Sequence, residues 1–197
     1  ADEFLAKLGM VAMRLYRLGE NPNYEPPVSE CLAAEAMNKN EEVLSVIYDA
    51  LLEQDGEALL YFPLMNYTGM NLDIVHEMIT HPLALPGLSD GGAHVGTVCD
   101  SSFPTFFLTH WGRDREEGKL PLEKIVKMQA YDTSRFIGLE DRGAIAVGQR
   151  ADINVIDHVN LRLKHPVMKK DLPAGGQRLV QDAEGYIATL VNGEVIA

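Results

Sequence analysis

The stretch Leu83-Ala84-Leu85-Pro86-Gly87-Leu88-Ser89-Asp90-Gly91-Gly92-Ala93-His94 decides how this sequence is read. A short apolar run, of the length of a buried strand, ends on a carboxylate, and two glycines follow directly. In parallel β/α architectures the loops at the C-terminal ends of the strands converge, and active sites are built there. A carboxylate at that point can bind a metal or take a proton from a metal-bound water. Gly91 and Gly92 let the backbone turn sharply and leave room for a substrate, and His94 offers a second polar group to the same pocket. Each feature also has a plainer reading. Asp-Gly-Gly makes a turn by itself, and a single histidine near a turn is commonly structural or solvated.

Upstream, residues 2–18 carry Leu5, Leu8, Ala12, Leu15 and Leu18 at helical spacing, with Gly19 where a C-terminal cap belongs. Asn21-Pro22-Asn23-Tyr24-Glu25-Pro26-Pro27 is a loop on turn chemistry alone. A helix is predicted over 41–54, with Asn40 as N-cap and Val43, Ile47, Ala50 and Leu51 on one face. Ala58-Leu59-Leu60-Tyr61-Phe62 reads as a buried strand, and 71–80 as a helix with Leu72, Val75 and Ile79 inward. Downstream of Asp90, a helix begins near Pro104 and stops by Gly118, and another opens at Pro121. This alternation is the pattern of β/α units. Beyond Gly138 the pattern changes. Ala144-Ile145-Ala146-Val147, residues 151–156 and residues 186–196 are strand-like runs separated by turn residues. The expected organisation is therefore an α/β part over 1–138 and a β part over 139–197.

The 197 residues hold 17 Lys and Arg against 29 Asp and Glu, a net charge of −12. That balance argues against a nucleic-acid binder, which needs a basic excess to neutralise phosphates. No apolar run approaches the roughly 18 residues of a membrane span. Cys31 and Cys99 form no Cys-x-x-Cys pair, and the N-terminal Ala1-Asp2-Glu3-Phe4 is acidic where a secretory signal is basic. Both thiols are read as reduced, and the expected location is cytoplasmic.

The other histidines form no ligand set. His76 and His81 are not the i, i+4 pair of a helical zinc motif, His110 sits in an apolar helix, and His158 and His165 lie in the β part. Gly91-Gly92-Ala93-His94-Val95-Gly96 lacks the pattern that cradles phosphates.

Three stretches together resemble one family. Residues 81–94, ending in Ser89-Asp90-Gly91-Gly92-Ala93-His94, are similar to the eighth strand of a metal-dependent amidohydrolase barrel with its Asp. Gly138-Leu139-Glu140-Asp141-Arg142-Gly143-Ala144-Ile145, running on through Gly148 to Ala151-Asp152, resembles the passage from that barrel into a small β-domain. Thr189-Leu190-Val191-Asn192-Gly193-Glu194-Val195 resembles the closing strand. The likeness points to the N-acyl-D-amino-acid deacylase (D-aminoacylase) branch. It implies the C-terminal part of a (β/α)8 TIM-like barrel followed by strands of a small β-sandwich domain. It further implies a zinc centre at which Asp90 is both metal ligand and general base, with Gly91, Gly92 and His94 near the substrate, an N-acyl amino acid.

The same resemblance implies ligands that this sequence lacks. It has no His-x-His pair, and its first histidine, His76, would already lie between strands seven and eight. The family's substrate-binding Arg is also absent: the first Arg after Asp90 is Arg113. The chain length is short of the roughly 250 residues of a complete barrel. The expectation is a C-terminal portion of a longer enzyme, with zinc not held tightly by this chain alone. It would pair with an N-terminal half or form a homo-oligomer. The alternatives are a non-catalytic chain that folds by self-association, or an amidohydrolase acting on another amide such as a cyclic imide.

Overall fold

A computed structural model of the chain describes Lys7 and residues 11–87, 89–92 and 95–197. The chain divides into two compact units, Ala1–Thr80 and His81–Ala197. The expected boundary near Gly138 lies inside the second unit, where helices give way to strands.

In the first unit, β1 (Tyr16–Arg17) pairs antiparallel with β2 (Leu60–Tyr61), Tyr16 opposite Tyr61. Two helices, α1 (Leu32–Lys39) and α2 (Val43–Gly56), pack beside them. Ala12, Leu15, Leu32, Ala36, Val46, Ile47 and Ala50 form the core. Of the predicted helix over 2–18, Lys7 and Val11 are helical, but the helix does not run on to Leu18. Ala12–Arg14 is a single 3-10 turn, and Leu15 is already extended. The physical reason is extended pairing: Tyr16 and Arg17 lie opposite Tyr61 and Leu60, the Leu15 carbonyl accepts from the Leu32 amide at 2.9 Å, and the Leu18 amide donates to the Leu59 carbonyl at 3.2 Å. Asn40 is likewise not the N-cap of α2. It ends α1 in the left-handed conformation (φ 52°), its amide donating to the carbonyls of Ala36 and Met37, and Glu42 precedes α2. Asn tolerates that conformation, so the residue suits either helix end. Helix α3 (Asp73–Thr80) occupies its predicted place. Glu25 Oε1 accepts from the Leu72 amide at 2.7 Å just ahead of it.

The second unit has no strand among the described residues of 83–88. Leu83 is 87% exposed. Pro82 and Pro86 remove two ladder donors, and no neighbouring strand pairs with the run. Helix α4 (Phe103–Phe106) continues as a π-helix over Phe107–Asp114. Helix α5 (Leu122–Val126) likewise continues as a π-helix over Lys127–Asp132 into α6 (Thr133–Phe136). Phe107, Leu108, Trp111, Leu120, Ile125 and Met128 are buried here, together with Leu161 and Leu163 from the β part.

The β part contains β3 (Ile153–Ile156), β4 (Arg162–Leu163), β5 (Val167–Lys169), β6 (Arg178–Val180), β7 (Ala183–Glu184), β8 (Tyr186–Val191) and β9 (Glu194–Val195). The strand order β3-β8-β9 makes one sheet, and β4-β7 and β5-β6 are separate pairs. All the described pairings are antiparallel. The chain is thus a mixed α and β structure, and a closed barrel is not formed by the described residues. The predicted strand Ala144–Val147 is a loop: Ile145 is 89% exposed and has no ladder partner. Alternating small and branched residues gave that stretch a strand pattern, but the turns at 141–144 and 147–149 leave it too short to pair.

Candidate functional site

Asp90 is exposed at the start of a loop that closes on itself. The Asp100 amide donates to the Asp90 carbonyl at 3.3 Å. Gly91 packs so tightly on the other arm that a Cβ there would lie 2.8 Å from Cβ of Ser101. Glycine is therefore needed at 91 for close approach, and at 92 for its positive φ of 123°. The closure brings Asp90 beside Asp100, a residue the sequence gave no reason to select, ten positions away. Burial pushes the Asp100 carboxyl up, and the charge of Asp90 pushes in the same direction. Burial also raises the Cys99 thiol, with Asp100 adding to it. Two carboxylates thus stand at one loop neck, both of them exposed to solvent. His94 lies outside the described residues.

The loop is tied to the β part. The Leu179 amide in β6 donates to the Val95 carbonyl at 2.7 Å. Ser102 Oγ donates to Gln181 Oε1 at 2.6 Å, and Gln181 Nε2 donates to the Lys164 carbonyl at 2.7 Å. One helical turn on, Thr105 Oγ1 and the Tyr186 hydroxyl lie 2.8 Å apart. Single polar side chains carry no motif, whether at a helix start like Ser102 or in a β-rich tail like Gln181, and the sequence marks neither.

The motif at 138–152 does different work. Gly143 sits at φ 86°, where a Cβ would meet the Ala130 carbonyl oxygen at 2.8 Å and Ser134 Oγ at 2.9 Å. Arg142 pairs with Asp141 and with Asp152, and Asp152 also pairs with Arg150. Asp152 Oδ1 accepts from the Asn192 amide at 2.9 Å, and the Ala151 carbonyl from the Gly193 amide at 2.9 Å. Asn192 and Gly193, both at positive φ, form the two-residue turn between β8 and β9, the Asn-Gly pairing such hairpins prefer. The second and third motifs therefore meet in one corner whose residues fix turns.

Arg113 is similarly committed. Its guanidinium pairs with Asp114 and donates to the carbonyls of His158, Val159 and Leu161. His158 faces the Leu108 carbonyl at 3.0 Å, and His110 stacks on Phe106. In the first unit a cleft of about 520 Å³ is lined by Tyr16, Arg17, Asn23, Glu35 and Lys39 among others, and by none of the predicted site residues.

With the geometry in place, comparison with known proteins gives the class. A model of the amidohydrolase family matches residues 57–197, and the chain belongs to that family. Over 135 residues it is 30% identical to S-triazine hydrolase of Gordonia rubripertincta; the match covers 66% of this chain and 27% of that relative's length. No solved structure matches the chain significantly. Among the described residues no helix is long and apolar enough to cross a membrane.

The family is usually metal-dependent. Among the described residues no three His, Cys, Asp or Glu side chains come together as a metal cage, whereas zinc takes three or four protein ligands. The described donor set does not fit a zinc site.

Proposed function

We propose that this chain carries the general-base carboxylate of an enzyme that hydrolyses a carbon–nitrogen bond of the amide type, and that Asp90 is that base. Family membership supports a hydrolase. The observation that carries the residue assignment is the closed loop that presents Asp90 exposed beside Asp100, with Gly91 and Gly92 leaving no side chain over the approach. Asp90 takes a proton from the attacking water as the oxygen bonds to the acyl carbon. It returns that proton to the nitrogen as the carbon–nitrogen bond breaks, so a carboxylic acid and an amine form, the acid then passing its own proton to the amine or to solvent, and Asp90 ends ionised.

The substrate class that the resemblance to the D-aminoacylases implies is an N-acyl-D-amino acid, with His94, Gly91 and Gly92 near it. A second reading is an amide without a substrate carboxylate, such as a cyclic imide. One observation favours it: Arg113, the first Arg after Asp90, is fully engaged with Asp114 and three carbonyls, so it is not free to hold a substrate carboxylate. The zinc that the resemblance implies would need ligands from beyond the described residues, with Asp90 as this chain's contribution. Those ligands would come from an N-terminal half of the enzyme, or the chain would associate with copies of itself. Exposed Leu83, Phe136, Ile145 and Val147 support such an association.

A substrate panel tests the reading. N-acyl-D-amino acids, their uncharged N-acyl amine counterparts and cyclic imides are assayed with the chain and added zinc, for wild type and Asp90→Asn. Turnover that disappears in the variant is the expected result. Turnover that survives it removes Asp90 as base, and preference for the uncharged substrates selects the second reading. Sedimentation at micromolar concentration tests the association, and a strict monomer overturns it.

A further inference from the structure

We propose that Gln181, in the β part of the second unit, is a positioning residue that sets the Asp90 loop through Ser102. The proposal rests on the reading of Asp90 as the base, and it adds a residue some ninety positions away that no motif marks.

The geometry is a relay with a fixed direction. A glutamine amide presents one acceptor and one donor end, and its neighbours decide which way round it sits. The Lys164 carbonyl, 2.7 Å away, can only accept, so Nε2 faces it. Oε1 is then turned to Ser102, whose hydroxyl has a single proton to give and lies at 2.6 Å. The other acceptor near Ser102 Oγ, the Cys99 carbonyl, is at 3.4 Å and is the weaker of the two. Ser102 thus hands its proton to the β part, at the point where the loop enters α4. The neighbouring residues carry the constraint back to the base. Ser101 is the residue against which Gly91 packs, and the Asp100 amide holds the Asp90 carbonyl. A second tie from this loop to the β part is a main-chain bond, Leu179 to Val95, which has no side-chain specificity. Gln181 and Ser102 are both half-buried, so water competes with the relay less than at an open surface.

The test uses Cys99 as a reporter inside the loop, the buried Cys31 as a reference for the first unit, and fluorescence of the single, buried Trp111, which should not change, as a reference for unfolding of the second. Labelling of each thiol by a small alkylating reagent is followed by mass spectrometry in wild type, Gln181→Ala, Ser102→Ala and the double variant. The kcat and KM of each are measured with whichever substrate the panel identifies. Loss of one such hydrogen bond should speed Cys99 labelling about three- to tenfold. The double variant should be no faster than the faster single, because both remove the same bond. Cys31 labelling should not change, and kcat should fall with KM within about twofold. Cys99 labelling in Ser102→Ala and Gln181→Ala within twofold of wild type overturns the proposal, as do effects that multiply in the double variant. Should Gln181→Ala change the Trp111 fluorescence or expose Cys31, Ser102→Ala, which deletes only a hydroxyl, decides alone. The Asp90 reading fails separately, through turnover retained in Asp90→Asn while the labelling pattern still holds.

Discussion

The Asp90 loop and the corner built from residues 141–152 and 191–194 are both glycine-bearing, acidic and drawn from the family's recognisable stretches, yet they are held in opposite ways. In the corner, Arg142 and Asp152 satisfy one another, the Asn192-Gly193 turn is gripped by two acceptors, and Gly143 lies against helix backbone. The hydrogen-bonding capacity there is spent on structure. In the loop, the Asp90 side chain is exposed, and what anchors the segment are its neighbours: a backbone bond at the neck, Gly91 against Ser101, and Ser102 on Gln181. A carboxylate already committed to an arginine holds its proton balance fixed and has little capacity left for a substrate. One that leans on its backbone for placement keeps its oxygens available.

The largest effect that would sharpen this contrast is on rate. Asp90→Asn should lower kcat about a hundred- to ten-thousandfold, the range general-base removal spans, while leaving the thermal midpoint within a degree or two. Asp152→Asn should do the reverse, leaving kcat nearly intact and lowering the midpoint. A drop in midpoint for Asp90→Asn would erase the distinction.

Next come the two glycines. Gly143→Ala would push a Cβ into a carbonyl oxygen and a Cα on a helix, at a φ that L residues avoid. It should cost about 2–4 kcal/mol in denaturant unfolding. Gly91→Ala meets only Ser101, at 2.8 Å from its Cβ, and carries no positive φ, so its stability cost should be the smaller, about 1 kcal/mol, with a further penalty on turnover. Equal unfolding costs would show the loop to be as rigid as the corner.

A smaller effect belongs to the first unit. Bonds from Arg17, helped by Lys39, hold Glu35 at about 2, well below the ordinary carboxylate value of 4.5. Because the folded value is the lower one, this pair stabilises the fold fully above about pH 4.5, and the contribution is lost as pH falls toward 2. After discounting for partial solvent screening, Glu35→Gln should destabilise by about 1–2 kcal/mol at pH 7. Urea midpoints of wild type and variant should converge near pH 2; a gap unchanged between pH 7 and pH 2 would remove the pair as its cause. Smallest is Asn192→Ala, about 1 kcal/mol for a left-handed residue that alanine tolerates poorly, read as a lowered midpoint with kcat untouched.

How much of this was legible in advance depends on the range of the forces. Helices α2 and α3 were readable because their apolar spacing is local, and so was the helical run beginning at α4. The Asn192-Gly193 turn declares its own left-handed geometry. Asp90 and its two glycines stood out as a carboxylate at a sharp turn. The strand expected at 83–88 failed because ladder partners decide strands, and Pro82 and Pro86 make that run a poor donor. Helix α1 went unpredicted, since only Leu32 and Ala36 are buried on it and that is too sparse a pattern to detect.

The sequence by itself determined the family, the turn-bearing glycines and the carboxylate that the proposed chemistry turns on, because each is a property of a few adjacent residues. The tertiary structure decided that Asp100 stands beside Asp90, that Arg113 is already occupied, and that Gln181 reaches the loop through Ser102. Those facts depend on which distant backbone atoms present an acceptor or a donor at hydrogen-bonding distance, and spacing along the chain carries no record of that.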